Sequence, residues 1–296
     1  MEQLFSLEYI ISILLSGISL GGQLALIAIG YTMVYGILRL INFAHGDLFM
    51  VAGLLGIYIS AALPIYVAIP VVILMTVVLG FTIERAAYKP LRDAPRMSVM
   101  ISAIGVSYLL QSLAQIIFGS APKMVTVYEF GAVKFMGATV QISALVTLAV
   151  ATIVMTALTL FVKYTRLGRA MIAVSEDKSA AQLMGINVNG IITITFAIGS
   201  ALAALAGLFY LLKAPSISNT LGAMPGIKAF TAAVIGGIGS IPGAMLGGIL
   251  LGVVECISYK ITAIAPYTDA IEFSVLIIIL LVRPTGFLGK KRREKV

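Results

Sequence analysis

The chain has 296 residues, of which 60% are hydrophobic and only 11% are charged, and its formal net charge is +8. A soluble domain carries about 25% charged residues, so this composition indicates a polytopic membrane protein with little extramembrane mass. One cysteine and one histidine exclude a disulfide framework and a multi-histidine metal site. The basic residues lie between and after the apolar runs, which is the topology signal of a membrane protein and does not indicate nucleic-acid binding.

The apolar runs predict an all-α, polytopic transmembrane helical bundle that forms a single domain over residues 1–296. No secretory signal peptide is expected, because the first eight residues hold two acids and no Lys or Arg. The first run, 9–38, would form a helix longer than the roughly 30 Å thickness of the hydrocarbon core, at about 1.5 Å per residue. It must therefore tilt, kink or break, and Gly21-Gly22 is the expected place. Further spans are expected within 48–83 (two, divided at Leu63-Pro64), 97–118, 140–162, 191–212, the glycine-rich run 229–254 and a final run that ends at Arg283. Segment 119–139 is polar and allows a short hairpin.

The distribution of Lys and Arg predicts the orientation. Fifteen of the 20 basic residues share the cytoplasmic side in this topology: Arg39, those of loops 84–96 and 163–190, Arg283 and those of the basic tail 284–296. The N-terminus then lies outside and the C-terminus lies in the cytoplasm. The loop near Lys213 then lies outside and the tail lies inside, so the chain between them must cross the membrane an odd number of times. Two ordinary spans would not satisfy this condition. The segment before Gly239 therefore crosses as a short helix or is re-entrant. We therefore expect eight or nine crossings.

The longest polar segment between two apolar runs, 166–189, predicts a short helix. Ser175 is a suitable N-cap, Glu176 and Asp177 would occupy the first turn, where acids suit the helix dipole, and Gly185 stands where a C′ glycine ends a helix. The small apolar face of this helix consists of Ala180, Ala181, Leu183 and Met184. About nine residues are marginal as an isolated helix in water. The segment is therefore tethered to its flanking spans or docked on another protein, and a plain loop with a frayed helix is the alternative.

A glycine-rich stretch in the last third, GGIGSIPGAMLGG, has two interpretations. Gly239, Gly243 and Gly247 are spaced by four residues, which permits close approach of another helix, so ordinary packing within one subunit is the first. The second is a broken helix that lines a substrate route, as transporters often use, with Gly237, Gly239 and Ser240 on the translocation path. Non-helical backbone at membrane depth needs protein or water around it, so this region is expected to lie away from lipid.

Few other polar residues are candidates for function. Asn42, His45 and Asp47 stand at the predicted entrance of a span, where they are either structural hydrogen-bonding groups or the lining or gate of a translocation path. Glu255 follows a long apolar run, and an acid within a span is a functional hypothesis by default, although near the outer end it can be hydrated. The scarcity of acids and histidines in the spans disfavours a proton-coupled carrier.

The chain offers no motif for catalysis. Neither G-x-x-x-x-G-K-[ST] nor G-x-S-x-G occurs, which excludes a Walker ATPase site and a nucleophile elbow. We therefore expect a transport protein without an ATPase site of its own. Because the spans hold few groups that could drive transport, the energy is expected to come from a separate motor protein.

Four segments, in this order, carry a resemblance to a known family: INFAHGD, RLGRAMIAVSEDKSAAQLMGINV, AFTAAVIGGIGSIPGAMLGGILLGVVE and RPTGFLG. Nearly the whole chain resembles the LivH-type permeases of branched-chain amino acid ABC transporters. The resemblance implies a second, paralogous permease, two P-loop ATPases that hold ATP and Mg²⁺, and an extracytoplasmic amino-acid-binding protein, all at the bacterial cytoplasmic (inner) membrane. No cofactor is then expected on this chain itself. The residues that would dock on the ATPases are those of the short helix: Ser175, Glu176, Asp177, Ala181, Leu183 and Gly185.

The resemblance also implies alternating access. The loaded binding protein would dock on the outer loops, including 119–139 and 213–228, and ATP-driven closure of the ATPases would pull on 175–185. A same-family importer for another amino acid, an amide or urea is the nearer alternative. An ATP-independent facilitator for a small neutral solute, which would need no partner, is the alternative from another class.

Overall fold

The computed structural model describes residues 7–38, 42–92, 94–124, 131–135, 138–214 and 216–289. The α-helices in these ranges are α1 (Leu7–Leu38), α2 (Ala44–Ala62), α3 (Ile65–Ile83), α4 (Arg96–Phe118), α5 (Ile142–Tyr164), α6 (Arg166–Glu176), α7 (Lys178–Leu183), α8 (Val188–Leu211), α9 (Ala223–Gly236), α10 (Ile241–Lys260) and α11 (Thr268–Val282). The short strands are β1 (Lys123–Met124), β2 (Ala132–Phe135), β3 (Ala138–Gln141) and β4 (Ser216–Ile217). Eight helical segments of the described ranges are long and apolar enough to cross a membrane, so the predicted polytopic helical bundle is confirmed.

Helix α1 is the element against which α5, α8, α9 and α10 all pack. It has 32 residues, which gives a length of about 48 Å at 1.5 Å per residue. The helix continues through Gly21-Gly22, which the sequence indicated as the place of a kink or break. Gly21 is instead the contact point of α10. A Cβ on Gly21 would lie 2.4 Å from the Ile249 Cα, and a Cβ on Gly252 would lie 2.2 Å from the Gly21 backbone nitrogen. The two backbones therefore touch, and no side chain fits between them.

The glycine-rich last third forms two antiparallel helices, so the predicted single broken helix is not confirmed. The turn 237–240 joins α9 to α10, and α10 returns along α9 so closely that a Cβ on Gly247 would lie 2.0 Å from the Ala232 carbonyl oxygen. Gly237 and Gly239 have φ angles of 102° and 90°, a region that favours glycine, and they allow the chain to reverse there. Gly247 thus serves packing within the subunit, which was the first of the two interpretations.

The route from α8 to α9 accounts for the number of crossings. After α8 the chain turns back along α2, where Ile217 contacts Gly53 and Gly222 contacts Gly46. Helix α9, with 14 residues, continues in this direction for about 21 Å, which is short for a full span. The eight long segments plus this return agree with the predicted eight or nine crossings.

Short strands cover one end of the bundle. Strands β2 and β3 pair antiparallel, with Ala132 opposite Gln141, so the hairpin that the polar segment after α4 allowed is present. The sequence did not predict the second pair, in which β1 joins β4 and connects the segments that follow α4 and α8. The Asn219 amide supports this connection, because its Nδ2 donates to the Gly119 carbonyl oxygen at 2.6 Å. We call this the strand end of the bundle and the opposite end, which carries α6 and α7, the α7 end.

A buried ion cluster joins α9, α10 and α11. Lys228 Nζ lies 2.9 Å from Glu255 Oε1, 2.9 Å from Asp269 Oδ1 and 3.2 Å from Glu272 Oε2. Glu255 is 9% exposed and Glu272 is fully buried, whereas the Asp269 side chain is half exposed. Glu255 is therefore an ion-pair partner within the protein. Because buried carboxylates are unfavourable unless they are paired, Lys228 stabilises the contact of all three helices.

Replacing Lys228 by methionine would leave the Glu255 and Glu272 carboxylates buried without their cation. We expect Lys228→Met to lower the free energy of unfolding by about 3–5 kcal/mol, measured as loss of the monodisperse peak in size-exclusion chromatography after heating in detergent. Asp269→Asn is the matched control and should cost less than about 1 kcal/mol, because that carboxylate is half exposed. The triple variant Lys228→Met, Glu255→Gln, Glu272→Gln should recover most of the stability. A Lys228→Met protein as stable as the wild type would contradict the stabilising role.

The close contact of α1 and α10 predicts that a larger residue at position 252 will destabilise the protein. A methyl group at position 252 must push the two helices apart, so we expect Gly252→Ala to cost about 1–3 kcal/mol and to lower the midpoint of the same heating assay. Gly105→Ala on α4 is the control, because no atom lies within 4 Å of a Cβ at that position. Equal midpoints for the two variants would show that the close approach of α1 and α10 is not under steric constraint.

Candidate functional site

The predicted short helix is present as α7, but its N-cap is Asp177 and not Ser175. The Asp177 carboxylate accepts hydrogen bonds from the backbone N–H groups of Ser179 at 2.8 Å and Ala180 at 3.0 Å. The Ser175 hydroxyl donates to the Ile172 carbonyl oxygen at 2.7 Å, so it is engaged in the preceding helix. An ionised carboxylate at the N-cap also interacts favourably with the helix dipole, which accounts for the preference.

The residues before α7 form a separate amphipathic helix that the sequence did not predict. Helix α6 begins after Thr165, whose hydroxyl oxygen accepts from the Gly168 N–H at 3.0 Å, and it buries Met171 and Val174 against the bundle. Glu176 is the last residue of α6 and therefore does not belong to the first turn of α7. The 166–189 segment is thus two short helices that meet at Asp177.

Helix α7 ends at Leu183, Met184 is its C-cap, and Gly185 occupies the predicted C′ position. The Gly185 φ is 80°, its N–H donates to the Gln182 carbonyl oxygen, and the Ile186 N–H donates to the Ala181 carbonyl oxygen, both at 3.0 Å. This pair of hydrogen bonds is the Schellman motif. No atom lies within 4 Å of a Cβ at Gly185, so the requirement for glycine there is conformational and not steric.

The apolar residues of α7 divide into a buried and an exposed set. Ala181 is 4% exposed and packs inward, whereas Leu183 is 89% exposed and Met184 is 82% exposed. Two large apolar side chains that the chain itself leaves uncovered lie together at the end of α7. We call Leu183 and Met184 the α7 knob. A second protein that covered the knob would remove this apolar surface from water.

A polar network connects the start of α8 to the turn after α3, which consists of a π-helix (Glu84–Tyr88) and a 3₁₀-helix (Lys89–Leu91). Glu84, which is 1% exposed, accepts from the Thr193 hydroxyl at 3.1 Å and forms a salt bridge with Arg92. The Arg92 guanidinium also donates to the Asn189 side chain in the first turn of α8. Because α8 follows α7 closely in the chain and packs on α1, α2 and α3, it connects α7 to three helices of the bundle.

Helix α2 begins in the interior of the bundle, at Ala44, four residues earlier than the predicted span. A Cβ on Gly46 would lie 2.3 Å from the Gly222 carbonyl oxygen, so the first turns of α2 and α9 meet there. A Cβ on Gly30 of α1 would lie 2.4 Å from His45 Nε2, so the imidazole rests directly against the α1 backbone. His45 and Asp47, which the sequence placed at the entrance of a span, are thus in the first turn of a helix.

Three of the predicted path residues lie in this interior region and are buried: Asn42, His45 and Asp47, with exposed fractions of 3%, 1% and 0%. Asn42 Oδ1 accepts from the Tyr88 hydroxyl at 2.5 Å. The Asp47 carboxylate accepts from the Ser107 hydroxyl and from Gln111 Nε2 at 3.0 Å, both on α4. In this conformation the two groups hold α2 to α4 and to the turn after α3, and their assignment to a translocation path stays a prediction.

The other three predicted path residues also have partners within the chain. The Gly239 N–H donates to the Thr32 hydroxyl oxygen of α1 at 3.2 Å, and Ser240 is the N-cap of α10. A Cβ on Gly237 would lie 2.2 Å from the Gly289 backbone nitrogen, so the C-terminal segment packs on this turn. Their place on a translocation path likewise stays a prediction.

The RPTGFLG motif completes the C-terminal end of α9. The backbone N–H groups of Phe287 and Leu288 donate to the carbonyl oxygens of Ile235 and Gly236, both at 2.9 Å. The last carbonyls of a helix have no partner within the helix, so the motif supplies the missing donors.

A polar cavity that the sequence analysis missed opens at the strand end, between α1, α5, α8 and α10. Its volume is about 310 Å³. Four of the lining residues belong to α1 and are separated by four, three and four positions, which places them on one helix face: Ser12, Ser16, Ser19 and Gln23. The pattern S-x-x-x-S-x-x-S-x-x-x-Q within an uncharged span was the available sequence signal.

Comparison with known proteins identifies the family. Residues 13–280 match the family model described as the branched-chain amino acid transport system permease component. The chain is 43% identical to the high-affinity branched-chain amino acid transport system permease protein BraD of Pseudomonas aeruginosa, over 96% of this chain and 97% of that protein. It is 42% identical to the corresponding protein LivH of Escherichia coli K12, over 97% of this chain and 98% of that protein.

A solved structure shows a similar fold. It is an inward-facing conformation of an ABC transporter provisionally assigned to the metal-chelate type. The comparison gives a TM-score of 0.50 and 16% sequence identity, and it covers 95% of this chain and 90% of that chain. At this identity the similarity concerns the fold alone. The family match and the two full-length relatives show that the chain belongs to the permease family of branched-chain amino acid transport systems.

Proposed function

We propose that this chain is the permease subunit of an ABC importer that moves branched-chain, hydrophobic amino acids into the cell, and that separate ATPase subunits drive it through α7. The observation that carries this proposal is the α7 knob, Leu183 and Met184, on a helix whose two ends are fixed by Asp177 and Gly185. The substrate class follows from the names of the relatives BraD and LivH. The chain has no P-loop sequence, so ATP and Mg²⁺ belong to the partner subunits.

The proposed assembly contains a paralogous permease, two P-loop ATPases and an extracytoplasmic amino-acid-binding protein in the bacterial cytoplasmic membrane. The excess of Lys and Arg in loops 84–96 and 163–190 and in the C-terminal sequence 283–296 supports a cytoplasmic location for the α7 end. The N-terminus then lies outside, the C-terminus lies inside, and the strand end faces the binding protein. The pairing of β1 with β4 supports this arrangement, because it joins early residues of the two predicted docking loops at the strand end. The rest of the second loop turns back into the bundle, where Lys228 is buried, so only its first part is available for docking.

The proposed mechanism is alternating access. Closure of the ATPases displaces α7, and α8 transmits the displacement because no flexible linker separates them: Ile186 is held in the Schellman motif and Val188 already begins α8. The salt bridge of Glu84 and Arg92, with the contact of Arg92 to Asn189, makes α3 follow α8. The spans around α8 then open the route on one side of the membrane and close it on the other.

Purification of the tagged chain from its native membrane in mild detergent, followed by mass spectrometry, tests the proposal directly. We expect a P-loop ATPase in comparable amount, and loss of this partner when 175–185 is replaced by a Gly/Ser linker. Vesicles should take up leucine only with ATP, and competition with amides and urea would separate the nearer alternatives. A chain that purifies alone and transports after ATP depletion would overturn the proposal in favour of a facilitator.

Charges on the α7 knob should uncouple the ATPase. We expect Leu183→Glu with Met184→Glu to reduce the recovered ATPase at least tenfold, because two carboxylates would be desolvated at an apolar contact, while the chain still folds. Met124→Glu is the matched control, since Met124 is 80% exposed at the strand end, and it should leave the recovered ATPase unchanged. Full ATPase recovery with the double variant would exclude the knob as the docking site.

The end of α7 should also be sensitive to backbone conformation. Gly185→Val would force a β-branched residue into the left-handed region, at a cost of roughly 1–2 kcal/mol, and should lower ATP-dependent uptake severalfold. Gly185→Asn tolerates this conformation better and should retain most uptake. The ratio of the two uptake rates is the measurement, and equal rates would contradict a conformational role for Gly185.

A further inference from the structure

The polar face of α1 forms a gradient from the surface into the bundle. Ser16 is exposed, Ser19 is 8% exposed and Gln23 is 5% exposed, so the lining residues of α1 become more buried from Ser16 toward the middle of this helix. Four polar side chains on one face of an otherwise apolar span are unfavourable against lipid, and they are accommodated because they face a cavity.

Gln23 marks the inner end of this cavity. Its Nε2 is buried and has no hydrogen-bond partner within the described residues. A buried amide donor without an acceptor is unfavourable and rare in proteins. Since Gln23 lines the cavity, an acceptor bound there would satisfy the donor.

The charges of the cavity favour an anionic group. Lys213 and Lys260 line it and are exposed, which places both ammonium groups at the opening. Partial burial lowers the pKa of the Lys213 ammonium below its ordinary value, and the nearby Glu255 carboxylate acts in the opposite direction. None of the described lining residues is Asp or Glu, so a carboxylate that enters meets hydroxyl and amide donors and two cations, and the nearby Glu255 carboxylate lies outside the lining.

The cavity also has room for a short apolar group. Ala144 and Phe209 contribute apolar lining beside the hydroxyls of α1 and α5. The volume of about 310 Å³ lies at the lower end of the roughly 300–1,000 Å³ typical of small-molecule sites. Serine hydroxyl oxygens can accept from an ammonium group as well as donate to a carboxylate. These properties match a zwitterion with a small aliphatic side chain.

We propose that this cavity is a binding site for the carboxylate of an aliphatic amino acid, occupied after the solute leaves the binding protein and before it passes through the bundle. Gln23 donates to the carboxylate at the inner end, and Lys213 and Lys260 attract it at the opening. This assignment rests on the proposed function, because it takes the transported amino acid as the ligand.

Protection of an introduced cysteine tests the site on the reconstituted transporter complex. In a Cys256→Ala background, Ser16→Cys is labelled with a small maleimide, with and without leucine. We expect saturating leucine to slow labelling at least fivefold and leucinamide, which lacks the carboxylate, to slow it less than twofold. Leu14→Cys is the control, because position 14 lies on the opposite face of α1, and leucine should leave its labelling rate unchanged.

Uptake measurements with Gln23 variants give a second readout. Gln23→Leu removes the donor and should reduce leucine uptake about tenfold at unchanged recovery of the ATPase. Gln23→Glu places a negative charge beside the carboxylate and should reduce uptake further, and Leu14→Ala should transport like the wild type.

The outcomes separate the two proposals. If the wild-type complex imports leucine with ATP, but leucine does not protect Ser16→Cys and Gln23→Leu transports normally, the cavity assignment is wrong and the proposed function stands. Equal protection by leucine and leucinamide would overturn carboxylate recognition. If the wild-type complex imports no leucine, the proposed function is wrong. The assignment of the cavity is then wrong as well, because it takes the transported amino acid as the ligand.

Discussion

The backbone contact of α1 with α10 is the constraint on which the rest of the bundle depends. Lipid tails are as apolar as the side chains of a helix, so close packing must supply much of the attraction between membrane helices. Gly21 and Gly252 permit this packing because neither residue places a side chain between the two backbones. The other side of α10 meets α9 through Gly247, so α10 is held between α1 and α9. Much of the hairpin of α9 and α10 is thereby buried in the bundle, although Leu246 of α10 and Met224 of α9 are exposed.

Polar groups inside the bundle fix helices that are distant in sequence. Lys228 binds carboxylates of α10 and α11, Asp47 binds two side chains of α4, and Glu84 binds the first turns of α8 through Thr193. Each carboxylate would be unfavourable without its partners, so each arrangement specifies which helices lie next to each other. The glycine contacts determine how closely helices approach, and these polar contacts determine which helices are neighbours.

The two ends of the bundle are built differently, in agreement with their proposed partners. At the α7 end, short helices with well-defined caps present an apolar knob and continue directly into α8, which favours transmission of force. At the strand end, two small sheets join the loops, and a cavity with two lysines at its opening extends inward to Gln23. The α7 end is thus suited to the proposed contact with an ATPase. The strand end is suited to the proposed binding of an amino-acid carboxylate that a binding protein delivers.

The sequence by itself determined the class, most of the spans and the C-terminal end of α7, because hydropathy and the conformational freedom of Gly185 are local properties. It did not determine that Asp177 caps α7 in place of Ser175, because Ser and Asp are both favourable N-caps and local sequence did not show that α6 extends to Glu176. Only the tertiary structure decided that Lys228 pairs with Glu255 and that α10 folds back on α9. These features depend on contacts between residues far apart in the chain, and local patterns of hydrophobicity carry no information about which distant backbone or charge will be the neighbour.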